Sequence, residues 1–385
     1  MTDIIIYGAG KIGRTALEYY SQFANVKFLI DKDTKKQKEL INGVKVQGVE
    51  ALDGESCDLI IAVRHGAKSI SKELKSKYKG RIFLFDVSII DLNVSNDTEV
   101  EKGISVHFSG GLGNQMFQYA LFKALKTSGK DVYANISECN MPGRVLFRLP
   151  EVFEIPELNI ISSNQEIRMA EKALNSNVSG KFIIYNENMV YGAVKQADKT
   201  LLQNDGGIIR GIHQTCFFPD LKRNELLSDF TFRINNDEYV KRLVDTMSDN
   251  SVSIHIRRGD YLTDANRYVY GDICTESYYD QAIKYIRERV DNPRFYIFSD
   301  DIEYVKNYFE IKDATYIEEN MFSKYEDWYD MFLMSKCKHN IIANSTFSWW
   351  GAWLNQNQDK IVIAPRKWIN TYDYLDIYPR EWIKI

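Results

Sequence analysis

The sequence predicts an α/β protein whose sheets are mainly parallel. Short, continuous apolar runs recur along the chain, and helix-length polar segments separate them. Strands covered by helices on both faces show this pattern. Two glycine-rich loops each follow an apolar run directly, as at the strand-to-helix turns of α/β proteins.

Composition excludes several classes of protein. Hydrophobic residues make up 44% and charged residues 26% of 385 positions, which suits two or three domains with full cores. A net charge of -4 argues against a nucleic-acid partner. Five cysteines without a C-x-x-C pair predict reduced thiols and a cytoplasmic protein. With neither a signal peptide nor a membrane-span pattern, the only membrane contact left open is a peripheral one at the inner face.

Residues 1–92 are predicted to form a small Rossmann-like domain of the nucleotide-binding type. A polar segment with a cluster of charges, residues 93–103, is predicted to link it to the rest of the chain. The predicted strands of this domain span residues 4–7, 26–30, 59–63 and 82–85.

The loop GAGKIG at 8–13 matches G-x-G-x-x-G directly after a predicted strand. Asp31 ends the next strand, at the distance of a residue that binds a ribose hydroxyl. The alternative is a glycine turn needed only for close packing of helix against strand. The candidate nucleotide site of this domain consists of Gly8, Gly10, Gly13 and Asp31.

The rest of the chain shows a second α/β rhythm. A strand at 105–108 and a helix at 116–126 flank the loop GGLGNQ, whereas residues 139–235 show no clear periodicity and stay unassigned. Further strands are predicted at 252–256, 294–298, 339–343 and 360–364.

The loop GGLGNQ at 110–115 is a candidate ligand loop, although it lacks the lysine of a P-loop. Its glycines, Gly111 and Gly113 among them, let a ligand approach the backbone closely. Asn114 and Gln115 would lie where the helix begins, with amides able to bind hydroxyls or a phosphate. The alternative is a tight turn with Asn114 as helix N-cap.

The run HIRRGDY at 255–261 places two arginines at the end of a predicted strand. Arginine grips phosphate bidentately, so the run indicates a diphosphate-bearing ligand. We expect one of Arg257 and Arg258 to face the diphosphate and the other to pair with a carboxylate. The alternative is a structural ion-pair network.

Two further motifs end predicted strands. FSDD at 298–301 places Asp300 and Asp301 where a carboxylate could accept from a nucleobase edge, the alternative being that Asp301 caps the next helix. NSTFSWWGAWL at 344–354 starts a helix whose free N–H groups suit phosphate, the alternative being that Asn344 or Ser345 is a plain N-cap. No H-E-x-x-H is present, so no metal site is predicted.

These motifs together resemble the α-1,2-fucosyltransferases of glycosyltransferase family 11. GGLGNQMFQYA, HIRRGDY, FSDD and NIIANSTFSWWGAWL occur in that family's order over residues 104–385. Residues 211–214 with Phe217 and Phe218 are similar to its G-aromatic-aromatic-Gln segment. Ile212 and His213 stand here in the aromatic places.

The resemblance implies a GT-B-like fold of two Rossmann-like halves, preceded here by the small Rossmann-like domain. The halves would be 104–240, on the acceptor side, and 241–385, which would bind GDP-fucose. The resemblance also implies a galactoside 2-α-L-fucosyltransferase-type enzyme. Such an enzyme would move L-fucose from GDP-β-L-fucose, with inversion, to the 2-hydroxyl of a β-galactoside. It would require neither a metal nor another cofactor. A missing N-terminal anchor fits a bacterial enzyme acting on an oligosaccharide or lipid-linked glycan such as an O-antigen unit.

Carried to this sequence, the resemblance assigns Arg257 to the β-phosphate. GDP would leave as the acceptor hydroxyl attacks fucose C1 from the opposite face, with either Asp260 or His255 as general base. Asn114 resembles a catalytic-centre asparagine of the related protein O-fucosyltransferases. The candidate catalytic residues are Arg257, Asp260, His255 and Asn114. The candidate donor-binding residues are Gly111, Gly113, Asn114, Gln115, His255, Arg257, Arg258, Asp300, Asp301, Asn344, Ser345, Thr346, Phe347 and Ser348.

Two other functions stay open on the sequence. An NAD(P)-dependent sugar-nucleotide dehydrogenase would use the G-x-G-x-x-G loop together with Tyr119 and Lys123, which have Y-x-x-x-K spacing. A non-catalytic GDP-sugar sensor would bind the donor and release no GDP. The sequence does not predict the acceptor, the oligomeric state or any ligand of residues 1–92.

Overall fold

The computed structural model divides the chain into two units. Unit 1 comprises Met1–Val100 with Asn140–Val145 and Ile160–Gln165, and unit 2 comprises the rest. Of the predicted linker, residues 93–101 lie outside the described part of the chain. In that described part, no helix has the length and apolar character that crossing a bilayer requires. The described residues are 2–21, 24–63, 67–75, 77–80, 82–84, 102–126, 129–141, 144–175, 182–187, 194–234, 238–247, 250–309, 311–312, 314–322 and 325–385.

Unit 1 is built around one sheet. Its elements are β1 (Thr2–Tyr7), α1 (Lys11–Tyr20), β2 (Ala24–Ile30), β3 (Leu40–Ile41), β4 (Val44–Gln47), β5 (Asp58–Ile61), α2 (Ala67–Lys75) and β6 (Ile82–Leu84). The sheet order is β3-β4-β2-β1-β5-β6, and every pairing except β3 with β4 is parallel. All four predicted strands are present, and the Rossmann-like arrangement is confirmed. The β3–β4 hairpin was missed, although Asn42 and Gly43, both with positive φ, form a turn that Asn-Gly commonly signals.

The first half of unit 2 carries a four-stranded parallel sheet in the order β8-β7-β11-β9. Its elements are β7 (Ile104–His107), α3 (Leu112–Lys126), β8 (Val132–Asn135), α4 (Leu149–Val152), α5 (Ser163–Asn175), β9 (Phe182–Asn186), β10 (Val194–Lys195), β11 (Gly206–Arg210), α6 (Phe217–Leu221), α7 (Arg223–Asp229) and α8 (Glu238–Thr246). Helix α3 begins four residues before the predicted start. Asn114 therefore lies inside its first turn, and the N-cap alternative for Asn114 is wrong.

The second half of unit 2 carries a six-stranded parallel sheet. Its elements are β12 (Ser251–Ile256), α9 (Asp264–Tyr270), α10 (Glu276–Arg287), β13 (Arg294–Ser299), α11 (Ile302–Tyr308), β14 (Ala314–Tyr316), α12 (Tyr329–Lys336), β15 (His339–Ile341), α13 (Thr346–Leu354), β16 (Val362–Ala364), β17 (Asp373–Tyr374) and β18 (Ile383–Lys384). Apart from β17, which pairs with β10, these strands follow the order β14-β13-β12-β15-β16-β18. That is the 3-2-1-4-5-6 order of a doubly wound fold. The α/β class and the GT-B-like pairing of two Rossmann-like halves are confirmed.

An aromatic core joins the two halves of unit 2. Trp349 and Trp350 of α13 are fully buried, and their rings lie 4.6 and 5.0 Å from that of Phe117 on α3. Each indole N–H has an acceptor: Trp349 donates to the Ile377 carbonyl at 2.8 Å and Trp350 to the Gly113 carbonyl at 2.9 Å. Buried tryptophans need such partners. These contacts fix the start of α13 against the start of α3.

A buried carboxylate ties α5 to the sheet of the first half. Glu166 accepts from Ser105, from Nε2 of His107 at 2.7 Å and from Asn135 at 3.2 Å, and Nη2 of Arg210 lies 3.5 Å away. Burial raises the pKa of Glu166, but these hydrogen bonds outweigh it and the net pKa lies below its usual value. Burial lowers the pKa of His107, but neighbouring carboxylates outweigh it and the net pKa lies above its usual value. Both groups are therefore stabilised in their charged forms.

The stability of this network depends on pH with a definite sign. The Glu166 carboxylate contributes above pH 4.5, and the contribution is lost as pH falls through its lowered folded-state pKa. The His107 imidazolium contributes below pH 6.5, and the contribution is lost as pH rises through its raised folded-state pKa. Both contributions are complete between these two values.

We expect Glu166→Gln to lower the free energy of unfolding by about 3 kcal/mol near pH 5.5, because a buried charge pair loses one partner. The difference from the unaltered protein should shrink as pH rises above the raised folded-state pKa of His107, where its imidazole is neutral in both states. Urea denaturation across this pH range measures both effects. Glu303→Gln, which removes a 74% exposed carboxylate, is the control. A difference that stays constant with pH would contradict the assignment.

Candidate functional site

The polar motifs of the second half collect at the carboxyl ends of three neighbouring strands. Loops after β12, β13 and β15 carry Arg257 with Arg258, Asp300 with Asp301, and residues 344–348. The strand order reverses between β12 and β15. In open α/β sheets this switch point is where ligands bind.

Arg257 is held by two carboxylates. Its Nε and Nη2 donate to Oδ1 of Asp260 at 3.0 and 2.7 Å, and its Nη1 lies 3.3 Å from Oδ2 of Asp300. A Cβ on Gly259 would lie 2.3 Å from Oδ2 of Asp300. A side chain at position 259 would therefore require the Asp300 carboxylate to move.

Arg258 is fixed by contacts of three kinds. Its amide donates to Oδ1 of Asp300 at 2.9 Å, its Nε donates to Oδ2 of Asp301 at 3.1 Å, and its guanidinium carbon lies 3.2 Å from the ring centre of Tyr304. Both motif arginines thus pair with carboxylates, and the expectation that one of them faces the diphosphate stays a prediction. The stacking partner Tyr304 was not identified from the sequence, because no local pattern marks it.

Asp301 has two structural roles. Its Oδ1 accepts from the Tyr304 amide at 3.4 Å and caps α11, as the alternative interpretation of FSDD held. Its Oδ2 also binds Arg258. Asp300 contacts both arginines, Arg257 through its guanidinium and Arg258 through its backbone amide.

His255 lies at the end of β12 and is only 4% exposed. Burial, together with the charge of Arg257, lowers its pKa to about 3. The imidazole is therefore neutral at physiological pH. Within the described part of the chain, its Nδ1 has no hydrogen-bond partner.

Few of the five candidate side chains in the loop after β15 are exposed to solvent. Ser345 caps α13 by accepting from the Phe347 amide at 3.4 Å, which confirms the N-cap alternative for that residue. Asn344 is buried and donates to the carbonyls of residues 270 and 368, and Ser348 is buried against carbonyls of its own turn. Thr346 and Phe347 are partly exposed.

The GGLGNQ loop meets this helix start directly. A Cβ on Gly113 would lie 2.6 Å from Oγ1 of Thr346, so the N-termini of α3 and α13 approach at van der Waals distance. Gly111 is exposed, with open space where a side chain would stand. Gln115 is buried, and its side chain bonds the carbonyls of residues 110 and 146 and the Arg148 amide. Gln115 therefore supports the loop from the protein interior.

Asn114 is linked to two residues outside the predicted site. Its Oδ1 accepts from Nε2 of Gln214 at 3.2 Å, and Oε1 of Gln214 accepts from Nε1 of Trp368 at 2.7 Å. The similarity of residues 211–214 to the family segment marks Gln214 in the sequence. Trp368 has no such signal.

The tyrosine and lysine of the dehydrogenase hypothesis are engaged inside the fold. Tyr119 is 1% exposed, and its hydroxyl donates to Oδ2 of Asp229 at 2.8 Å. The ammonium of Lys123 lies 2.8 Å from the same oxygen. The pair serves packing on α3 and does not reach a ligand crevice.

In the glycine loop of unit 1, two of the three glycines fit the close-packing interpretation and one does not. A Cβ on Gly8 would lie 2.2 Å from the Ala62 carbonyl and one on Gly13 1.8 Å from the Gly8 carbonyl, whereas nothing lies within 4 Å of one on Gly10. Close packing thus explains Gly8 and Gly13 but not Gly10.

Asp31, the candidate ribose ligand of unit 1, is bonded within its own surroundings. Its carboxylate accepts from the amides of Ala9 and Asp33, both at 2.9 Å, and from Lys36 at 3.2 Å. Burial raises its pKa, but these bonds outweigh it and keep the pKa below its usual value. A nucleotide site in this unit stays a prediction. Among the described residues, no group of three or more His, Cys, Asp and Glu side chains is placed to hold a metal ion.

Comparison with known proteins identifies the family. The family model described as Glycosyl transferase family 11 matches residues 213–385. The O-antigen biosynthesis glycosyltransferase WbnK of Escherichia coli is 34% identical over 304 residues, covering 72% of this chain and 98% of WbnK. An α-1,2-colitosyltransferase of Escherichia coli is 33% identical over 296 residues, covering 73% and 98%. Galactoside α-(1,2)-fucosyltransferase 2 of Hylobates lar is 23% identical over 270 residues, covering 68% and 71%.

Solved structures give weaker matches. A variant of Arabidopsis thaliana FUT1 in complex with GDP matches with a TM-score of 0.37 and 12% identity, covering 77% of each chain. Heptosyltransferase II of Escherichia coli matches with a TM-score of 0.30 and 11% identity, covering 100% of this chain and 90% of its own. Because WbnK matches this chain over almost its entire length at 34% identity, the chain belongs to glycosyl transferase family 11 and is a glycosyltransferase.

Proposed function

We propose that this protein is a galactoside 2-α-L-fucosyltransferase-type enzyme that transfers L-fucose from GDP-β-L-fucose to the 2-hydroxyl of a β-galactoside in O-antigen synthesis. The observation that carries the proposal is the convergence of Arg257, Arg258 and the start of α13 at the switch point of the second sheet. Guanidinium groups beside a helix N-terminus are suited to binding a diphosphate. The name of the Escherichia coli relative WbnK supports the O-antigen context.

The proposed reaction is a direct displacement at C1 of fucose with inversion. The C1–O bond to the β-phosphate breaks, its electron pair stays with GDP, and the acceptor oxygen bonds C1 from the opposite face. Arg257 and the N–H groups at the start of α13 would stabilise the charge that develops on the β-phosphate. Asn114, on the facing helix start, would contact the reacting centre.

Asp260 is the better candidate for the general base. Its side chain is 53% exposed, so an acceptor hydroxyl can reach the carboxylate. His255 is buried, and its pKa of about 3 makes it a weak proton acceptor. We therefore assign His255 to the wall of the donor pocket and the acceptor's proton to Asp260.

The experiment that tests the function is a GDP-release assay with GDP-fucose and a panel of β-galactosides, followed by linkage analysis of the products. GDP-colitose is the second donor, because one of the relatives is named a colitosyltransferase. Colitose lacks the 3-hydroxyl of fucose, so relative kcat/KM values report whether the pocket uses that group. Binding of GDP-fucose without GDP release with any acceptor would instead support a sensor.

We expect Arg257→Ala to lower kcat/KM by at least about 100-fold, because the leaving phosphate loses a charge-assisted donor. The fold should persist, since Asp260 and Asp300 are both open to solvent. Arg267→Ala is the matched control, because Arg267 is 61% exposed and also pairs with an aspartate. Kinetics are compared with thermal unfolding for both variants. Near-normal turnover of the folded Arg257 variant would disprove its role.

We expect Asp260→Asn to lower kcat by about 100-fold or more while GDP still binds, because an amide cannot take the proton of the acceptor. Asp272→Asn, which alters a 73% exposed aspartate after α9, is the control. Steady-state kinetics and GDP titration separate the two effects. A variant with unchanged kcat would show that transfer proceeds without proton removal by Asp260.

A further inference from the structure

Hydrogen-bond chemistry fixes the orientation of Asn114. An indole N–H can only donate, so the side-chain oxygen of Gln214 must face Trp368, 2.7 Å away. The amide nitrogen of Gln214 then faces Asn114 and needs an acceptor, which is Oδ1 of Asn114 at 3.2 Å. This sequence of donors and acceptors has only one consistent direction. Asn114 is left with its Nδ2, a donor, directed away from Gln214.

The side-chain amide nitrogen of Asn114, Nδ2, lies beside Gly110 of the glycine loop. A Cβ on Gly110 would stand 2.7 Å from Nδ2, so the absence of a side chain there makes room for the amide. Gly110 has φ of +75°, a conformation that favours glycine. Within the described ranges, no residue accepts a hydrogen bond from Nδ2, and Asn114 is only partly buried. Its N–H bonds are therefore available to a ligand.

The segment that presents Gln214 is itself held rigidly. Oε2 of Glu187 accepts from the amides of Ile212 and His213 at 2.7 and 2.9 Å. His213 has φ of +57°, a conformation that costs about 1–3 kcal/mol in a non-glycine residue and is kept only where neighbours enforce it. Gln118 adds a hydrogen bond to the Gly211 carbonyl at 2.9 Å. The position of Gln214 is thus set before any ligand binds.

We propose that Gln214 and Trp368 are positioning residues that hold Asn114 as a hydrogen-bond donor toward an oxygen of the bound donor substrate. The proposal rests on the proposed transfer reaction, in which negative charge develops on such an oxygen. An amide that presents N–H stabilises that charge, whereas one that presents its carbonyl opposes it. In this proposal Gln214 and Trp368 act through Asn114.

The test is the near-isosteric change Gln214→Glu. A carboxylate at this position would accept from both Trp368 and Asn114, which reverses the Asn114 amide and directs its carbonyl at the substrate. We expect kcat to fall by about 100-fold, the typical loss of one preorganised donor. The affinity for GDP-fucose, measured by titration, should change far less, because the arginine contacts remain.

Low pH should restore the variant. A protonated carboxyl group accepts from Trp368 with its carbonyl and donates to Asn114 with its hydroxyl, as the glutamine amide does. The ratio of variant to unaltered kcat should therefore rise as pH falls through the carboxyl pKa, which is about 4.3 when unperturbed and higher when buried. Dividing by the unaltered rate at each pH removes titration of the substrate and of other groups.

The other titratable groups that face this segment include Glu187, which accepts from its backbone amides, His213 and Asp376. Burial lowers the pKa of neighbouring His213, whose ring lies beside that of Tyr185, and so opposes protonation of the imidazole. Asp376 lies behind the segment and accepts from the hydroxyl of Thr215 and the amide of Ala197. A pH response that appears only in the Gln214 variant therefore belongs to the introduced carboxyl group.

Two further variants complete the test. Trp368→Phe removes the donor that orients Gln214 and should lower kcat less than Gln214→Glu does, without the recovery at low pH. Gln281→Glu, at an exposed position of α10, controls for the added charge. Equal kcat for Gln214→Glu and the unaltered enzyme, or a loss that does not change with pH, would overturn the proposal. An unaltered enzyme that transfers no fucose would instead refute the proposed function.

Discussion

The candidate site depends on the contact between Gly113 and Thr346. At this point the first turns of α3 and α13 touch, and a methyl group on Gly113 would displace the threonine. The indole of Trp350 locks the contact by donating to the Gly113 carbonyl. Each of the two helices follows a strand of a different sheet. One glycine therefore sets the distance between the ligand loops of the two halves.

The two helix starts bring complementary chemistry to that contact. The α13 side adds two arginines and the carboxylates that orient them, whereas the α3 side adds a neutral amide and exposed backbone. Charge is thus concentrated on one side of the crevice. On the proposed assignment, the diphosphate would bind to the charged side and the sugar would face the neutral side. Such a division suits a donor whose negative charge lies at one end.

The sequence predicted the sheets better than the side-chain partners. Buried strands such as Arg294–Ser299 contain continuous apolar runs, so their positions could be predicted within one or two residues. The region 139–235 escaped assignment because most of its elements are short, α6 for example spanning only Phe217–Leu221. The loops carrying the arginines were found from motif residues alone. Tyr304 and Trp368 could not be found in this way, because each meets its partner only after folding brings distant segments together.

The pairing of Arg257 also bears on the release of product. Its guanidinium nitrogens already face the carboxylates of Asp260 and Asp300, so an incoming phosphate competes with existing ion pairs. The net gain from binding is the difference between two charge-assisted interactions and is smaller than either of them. GDP carries the same diphosphate as the donor and leaves after every cycle. Carboxylates that reoccupy the arginine would shorten the residence time of GDP, so the same pair that weakens capture of the donor would favour turnover.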